Sequence, residues 1–354
     1  MSRGGIAILM IVAASAAEPV AAQTGPQERP DRLGGLYVWI DGAYQSIRVP
    51  KIENLGVQGL LPATTNLSGS EKHDLRLNGY GMTGGLGYAF PQGTFPSSWG
   101  SNVRFEQGGD YVRGDGTSIS ESARVTDVNL TALSLTGQAF GIAGCGGATC
   151  FTSSTLSSEY RARNIDLRGK SDFKSGQWTI SPSLALIAGS ADTDQYFSQQ
   201  TFSGGALYPL LNYEMNVALK WRDLGAKLGL ETVYDFGNGL SAGLTGLVGL
   251  AYRSSSMSAD ASVLFGSTLP RLSAVEDSRD TVPVLANLEA RVMARLTPTM
   301  MAKAFAGLNY DSDVPGMQAP QNLTFPSAGV PAHIKFDPTT SYYAGVGLTI
   351  TFGQ

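Results

Sequence analysis

The stretch TVPVLANLEARVMARLTPTMMAKAFAGLNY, residues 281–310, constrains the fold more than any other part of the chain. Val282, Val284, Ala286, Leu288, Ala290, Val292, Ala294 and Leu296 share one parity, and Asn287, Glu289, Arg291 and Arg295 share the other. Only Pro283, Leu285 and Met293 break the rule. A period of two is that of a β-strand, whose successive side chains point to opposite faces. After Thr297-Pro298-Thr299 the pattern resumes, with Met300, Ala302, Ala304, Ala306, Leu308 and Tyr310 opposed to Lys303, Asn309 and Asp311. One face of this hairpin suits hydrocarbon and the other suits water or ion pairs. Strands of soluble sandwiches usually stop after about 5 or 6 residues. Alternation over this length, folded back at a tight turn, is what crossing a bilayer at a tilt requires. The chain is therefore expected to be all-β, an antiparallel transmembrane β-barrel.

The N-terminus agrees. Arg3 precedes an apolar run from Gly4 to Ala17, and Val20-Ala21-Ala22 precedes Gln23. That layout predicts a cleavable secretory signal over residues 1–22, a periplasmic tail over 23–34 and a barrel over 35–354. The apolar run is too short for a spanning helix, and no later stretch is long and apolar enough for one. A secreted chain that crosses with strands belongs in the outer membrane of a Gram-negative cell. With 44 glycines and 15% charged residues, the composition fits one barrel with long loops. A net charge of −4 gives no basic footprint for nucleic acid. Two histidines and two cysteines leave little material for a metal site, and no cofactor is expected.

Ten strands are predicted: Gly35 to Ile47, Leu75 to Phe90, Ser101 to Tyr111, Tyr160 to Phe173, Gln177 to Ala191, Asp223 to Phe236, Leu240 to Arg253, the two arms of the hairpin above, and Tyr342 to Phe352. A parity slip near Gly79 to Gly84 predicts a bulge in the second, and Pro182 weakens the fifth. The connections after strands two, four, six and eight are short (FPQGTFPSSWGS, KSG, GNG and TPT), and those after the odd strands each exceed twenty residues on this reading. Short turns on one side and long loops on the other is the asymmetry of outer-membrane barrels, with turns periplasmic and loops outside. Twelve strands would result if Ser122 to Leu135 and Tyr208 to Leu219 were both strands.

The C-terminal stretch YYAGVGLTITFGQ, with Tyr343, Val346, Leu348, Ile350 and Phe352, resembles the terminal strand signal that barrel-assembly machinery recognises. With the signal segment, the whole chain resembles a Gram-negative outer-membrane β-barrel of the porin-like or adhesin-like kind. It departs from that pattern by ending Phe-Gly-Gln instead of on the aromatic. The resemblance implies assembly machinery, outer-membrane lipid and lipopolysaccharide as partners, and it carries over no functional residues.

Three matches by letter lack their mechanism. Gly79-Tyr80-Gly81-Met82-Thr83-Gly84 fits a dinucleotide fingerprint but opens no helix. Gly239-Leu240-Ser241-Ala242-Gly243 fits a nucleophile elbow, yet it lies on the turn side while His73 and His333 lie on the loop side. Outer-membrane proteases of the omptin kind carry an Asp-x-His pair that this sequence lacks, so no enzyme is expected. Arg113-Gly114-Asp115 reads as a polar turn where the third strand enters its external loop, in preference to an adhesion motif. Cys145 and Cys150, in that loop, read as a small disulfide more readily than as a metal site in an oxidising compartment.

Inward parities carry Arg104, Arg168, Lys170, Lys227, Arg291, Arg295 and Lys303 against Asp41, Glu106, Asp110, Asp166, Asp172, Glu231, Glu289 and Asp311. That balance predicts a cross-strand ion-pair lattice more than a selective charged ring. Ten strands lie nearer the filled eight-stranded barrels than the open porins of 16 to 18. Two readings follow. One is a narrow channel for ions or small solutes, with Arg104, Glu106, Lys227, Glu231, Glu289, Arg291, Arg295 and Lys303 lining the pore. The other is a closed barrel scaffold whose outer loops act in adhesion or surface contact. Glycines on the lumen parity (Gly225, Gly229, Gly243, Gly249, Gly307, Gly345 and Gly347) fill no space and tilt the expectation toward the channel.

Overall fold

The computed structural model describes residues 35–50, 52–55, 57–60, 67–68, 71–73, 75–124, 129–144, 150–203, 211–265, 270–320 and 329–352. The expected signal segment, the tail and Cys145 lie outside them. In chain order, β1 (Gly35–Arg48) is followed by the short loop strands β2 (Ile52–Leu55), β3 (Val57–Leu60), β4 (Leu67–Ser68) and β5 (Glu71–His73). Then come β6 (Arg76–Ala89) and β7 (Asn102–Arg124), the loop strands β8 (Asn129–Leu133) and β9 (Ala139–Gly144), and β10 (Cys150–Ser175). The chain continues with β11 (Trp178–Ser203), β12 (Leu211–Gly237), β13 (Leu240–Phe265), β14 (Arg271–Thr281), β15 (Val284–Thr297), β16 (Met300–Gln318) and β17 (His333–Phe352). The sheet order is β12-β11-β10-β7-β6-β1-β17-β16-β15-β13, and β13 pairs back with β12. The ring is closed, every ladder is antiparallel, and β14 and β15 are two halves of one stave broken at Val282-Pro283, so ten staves surround the lumen.

Closure follows from alternation. Each stave presents an apolar outer face, and a barrel satisfies every backbone group without exposing an edge to lipid. Tyr44, Tyr80, Tyr111, Tyr252, Tyr310 and Tyr342 form an exposed upper aromatic band, and Tyr88, Phe105, Phe173, Trp178, Phe236 and Phe352 form a lower one. Between them lie Ile40, Met82, Leu167, Leu186, Leu228, Leu244, Leu288 and Val346, also exposed. An apolar belt between two aromatic girdles is the signature of an outer-membrane barrel. The tight turns close the lower rim. Gly237, Asn238 and Gly239 all have φ between 54° and 80°, the left-handed region that two-residue hairpin turns demand.

Several expectations are corrected. The ladder from Gly35↔Ala89 to Arg48↔Arg76 is unbroken, so no bulge occurs near Gly79 to Gly84; what looked like a slip is a run of inward glycines. The staves overrun their expected upper ends. β7 and β10 to β13 span 23 to 27 residues each, whereas about 9 to 11 suffice to cross a membrane. The connections after the fifth and seventh staves accordingly shrink to residues 204–210 and 266–270. The stretch 211–219 is the upper part of β12 and adds no stave. Arg113-Gly114-Asp115 is paired strand, with Asp115 opposite Asn78 and Glu159, and is not a turn. At Pro182 the expected weakness is visible: the β10–β11 ladder skips from Lys170↔Ser183 to Phe173↔Ile180.

Above the belt the interior changes character. Leu77, Leu156, Phe197, Leu211, Tyr213, Met215, Leu219, Val263, Met317 and Ile334 are each at most 1% exposed and belong to one contiguous apolar cluster. Leu135, from the turn between β8 and β9, inserts into it. Its N–H donates to Ser273 Oγ at 3.0 Å, and its carbonyl accepts from Ala332 N–H at 2.8 Å. The β16–β17 ladder shifts register between Asp311 and Val314. Beyond that shift, Ile334 N–H donates to Asp277 Oδ2 on β14 at 2.7 Å, which ties the upper part of the β16–β17 hairpin to β14.

Candidate functional site in the barrel lumen

All eight candidate pore-lining residues occupy inward positions and border one cavity of about 1510 Å³. Its walls run from the turn residues Gly176, Asn238 and Pro298 past Trp221 and Val314 to Val49, Gln195, Leu219 and Pro315. Most of the charges meet in one connected network. The Tyr37 hydroxyl donates to Glu106 at 2.7 Å, and Lys170 reaches Glu106 at 2.9 Å and Glu231 at 3.3 Å. Glu231 also pairs with Arg291, whose other nitrogen lies 3.8 Å from Glu289. The Tyr343 hydroxyl donates to Glu289 at 3.1 Å and accepts from Asn287 at 2.8 Å. Beside this chain, Arg104 pairs with Asp172 at 2.6 Å, which also accepts from Ser181. Lys303 pairs with Asp41 at 2.9 Å and lies 5.2 Å from the centre of the Phe305 ring.

The network crosses the ring by skipping strands. Lys170 on β10 reaches Glu231 on β12, Glu231 reaches Arg291 on β15, and Tyr343 on β17 returns to β15. The skipped strands must present little side chain at those points, and this is where the lumen glycines fall. A Cβ at Gly307 would meet the Tyr343 ring, one at Gly243 would crowd the Arg291 guanidinium, and one at Gly347 would meet Asp41 and Lys303. Gly85 lies under Trp39, Gly87 under Tyr37 and Gly345 under Phe305. These glycines are seats for large side chains lying across them, so at Gly243, Gly307, Gly345 and Gly347 the expectation of open space is overturned.

Lys227 and Arg295 stand apart from the network. Neither makes an ion pair among the described residues, and both border the cavity. Higher on the cavity wall sits a second cluster. Arg253, 1% exposed, donates Nε and Nη2 to Asp223 at 2.7 Å each and Nη2 and Nη1 to Asp311 at 2.7 and 3.1 Å. Nη1 also donates to the Asp313 carbonyl at 2.7 Å. All five guanidinium N–H groups are thereby used, and the Trp221 ring lies 5.8 Å away. This cluster sits where the polar chamber meets the apolar layer above it. Tyr37, Tyr343, Arg253 and Asp223 are site residues that the sequence pattern alone did not nominate. The expected Cys145–Cys150 disulfide lies outside the described residues, because Cys145 and the side chain of Cys150 are not among them.

No family model matches this chain, and neither does any curated protein. Among solved structures it is similar to the outer membrane protease OmpT from Escherichia coli, at 11% identity over 90% of this chain and 97% of that one, with a TM-score of 0.48. It is also similar to a Pseudomonas aeruginosa FadL homologue, at 11% identity over 90% of each chain and a TM-score of 0.25. A third is an anion-selective porin from Comamonas acidovorans, at 9% identity over 90% of this chain and 98% of that one, with a TM-score of 0.21. At these identities and scores none of them bears on what this chain does.

Proposed function

We propose that the protein is a closed outer-membrane barrel scaffold, a rigid stem that raises its loops above the membrane for surface contact. The observation that carries this reading is the apolar layer above Arg253, to which staves on every side of the ring and Leu135 contribute buried side chains. Buried Thr152, Ser154 and Ser158 of β10 and Thr193, Gln195, Gln199 and Thr201 of β11 share its height but carry no charge, and an ion crossing so closely packed a layer loses its hydration with little in return. The outer faces of the upper staves suit a stem in water: Ser254, Ser256, Ser258 and Asp260 follow one another on β13, and Asp192 and Asp194 on β11.

The chamber below favours a second reading, a narrow channel for ions or small solutes. It holds about 1510 Å³ bordered by charged side chains and extends down to the turns. Conduction then requires the apolar layer to be displaced. Recording from purified protein in planar bilayers separates the two. A silent membrane across several lipid compositions and voltages is the expected result, and steady, reproducible unitary steps from the wild type would overturn the scaffold.

A further inference from the structure

Immediately above the upper aromatic band, the outward side chains divide the barrel wall into two unlike halves. On β1 and β6 the band ends at Tyr44 and Tyr80, and the second outward positions above them are Arg48 and Arg76. On β7 the first position above Tyr111 is Arg113, and on β10 the first two above Ile165 are Arg163 and Arg161. On β12 the first two above Leu224 are Arg222 and Lys220. Within this half only β11 lacks a cation, offering Ser190 and Asp192. The other half offers none at these heights: Ser254 and Ser256 on β13, Asp280 and Ser278 on β14, Ser312 on β16 and Thr340 on β17.

Several of these cations face one another across the ladders. Arg48 stands directly opposite Arg76, and Arg113 directly opposite Arg161. Like charges in facing positions repel and destabilise the ladder. Glu159 offsets the second pair, at 2.8 Å from Arg113 and 3.0 Å from Arg161, and Arg163 lies over the Tyr111 ring at 5.9 Å. Arg76, Arg222 and Lys220 make no ion pair among the described residues, and all three are exposed. Asp192 stands within the stripe, opposite Arg161 and Lys220, and the other acidic groups on this wall, Asp115, Glu159 and Asp194, sit one step farther from the belt. The result is a cationic stripe several staves wide, held at one height above hydrocarbon and bounded above by carboxylates.

We propose that this stripe docks a phosphorylated glycolipid of the outer leaflet, lipopolysaccharide, through its phosphates. Aromatic girdles mark headgroup depth, so the stripe lies where the phosphates of the surrounding lipid lie, and the acyl chains fall against the apolar belt below. Arginine supplies the forked donors that match phosphate. A protein partner would need no constant height above the belt, whereas a lipid imposes one. The proposal rests on the outer-membrane placement of the barrel and not on whether the lumen conducts.

The test uses the purified full barrel in detergent, with native mass spectrometry of bound lipid. Bisphosphorylated lipid A, the same lipid dephosphorylated, and inorganic phosphate are offered separately. The bisphosphorylated lipid should be retained and the dephosphorylated one lost, with inorganic phosphate unable to displace the bound lipid at equal concentration. Arg76→Glu/Arg163→Glu/Arg222→Glu should weaken retention by about two orders of magnitude. The milder Arg→Gln set at the same positions should weaken it in the same direction. Ser278→Glu on β14, separated from Lys220 by the whole of β13, should leave it within about threefold. Heat-modifiable gel mobility establishes that each variant is folded. Equal retention of dephosphorylated lipid, equal competition by free phosphate, or undiminished binding by folded triple variants would each overturn the proposal.

Discussion

At the scale of single residues, the lumen is organised by pairs in which a glycine seats a large side chain from the next stave. A Cβ at Gly87 would run into the Tyr37 ring, so Gly87→Ala should destabilise the barrel by about 1 to 3 kcal/mol through overpacking. In a Tyr37→Ala background the same change should cost much less, because the two positions share one space. Urea unfolding of vesicle-inserted barrels measures both, and equal costs would mean that the seat is not what the glycine provides. The charges separate in the same way. Arg291→Ala leaves Glu231 and Glu289 facing each other with one cation fewer and should cost about 3 to 5 kcal/mol, as for other broken buried pairs. Lys227→Ala removes a cation that has no such pairs and should stay within about 0.5 kcal/mol. On the outer wall, hydrogen bonding from Arg161, with Arg113 beside it, holds the Glu159 carboxyl below the usual range. A depressed carboxylate contributes above its unfolded pKa and is lost as pH falls through the folded one. The facing Arg113 and Arg161 should therefore repel only in acid, and hydrogen exchange along that ladder should quicken there but not near neutrality.

At the scale of elements, the long staves are two strands of opposite pattern placed end to end. On β12 the apolar residues below are Leu224, Ala226, Leu228 and Leu230, facing lipid; above, they are Leu211, Tyr213, Met215, Val217, Leu219 and Trp221, facing inward. The phase inverts at Arg222-Asp223, where the solvent outside changes from hydrocarbon to water and the filling inside changes from charge to hydrocarbon. The membrane halves were legible because period-two alternation is strongest where one face meets lipid; the hairpin of β15 and β16 is found where its pattern puts it. The upper halves were not, because a phase inversion reads as a strand end, and the expected ends near Asp223 and Arg253 coincide with it. The same reason hid the Arg253 cluster, whose two strand-paired members sit at the inversion. The inward charges themselves followed from parity, whereas the strand-skipping partners and the seating glycines depend on ring closure. A substitution series tests the inversion. Leu228→Arg and Leu288→Arg, near mid-belt, should each cost about 2 to 4 kcal/mol. Leu228 lies outward in lipid and Leu219 inward in the upper layer, so Leu219→Asp should leave insertion intact while admitting protease to the upper staves. Loss of insertion by Leu219→Asp would show that the upper layer is needed before the belt can form.

At the scale of the whole molecule, the barrel is a polar chamber beneath an apolar seal, and the two act on different observables. Under the proposed scaffold reading, stability of the chamber depends on its ion pairs, while permeability depends on the seal. Thinning the seal should then open the molecule without disturbing the network below. Leu135 and Phe197 belong to the cluster and are fully buried, and neither lies in the charged chamber. Leu135→Ala/Phe197→Ala removes two of its largest fillers and should turn a silent barrel into a conducting one, at a stability cost of several kcal/mol, roughly the sum for two large-to-small core changes. The current should report the chamber. Its lining offers Asp41, Glu106, Asp110, Asp166, Asp172, Asp223, Glu231, Asp235, Glu289 and Asp311 against Arg48, Arg104, Arg168, Lys170, Lys174, Lys227, Arg253, Arg291, Arg295 and Lys303, ten of each sign. Opposed charges in balance leave little net field for a passing ion, so selectivity should be weak. Adding Arg291→Ala to the opened barrel removes one cation and should turn the preference toward cations, read as a shift in reversal potential under a salt gradient. A strongly selective opened barrel, or one whose selectivity ignores Arg291, would mean that ions travel by a path outside the charged network.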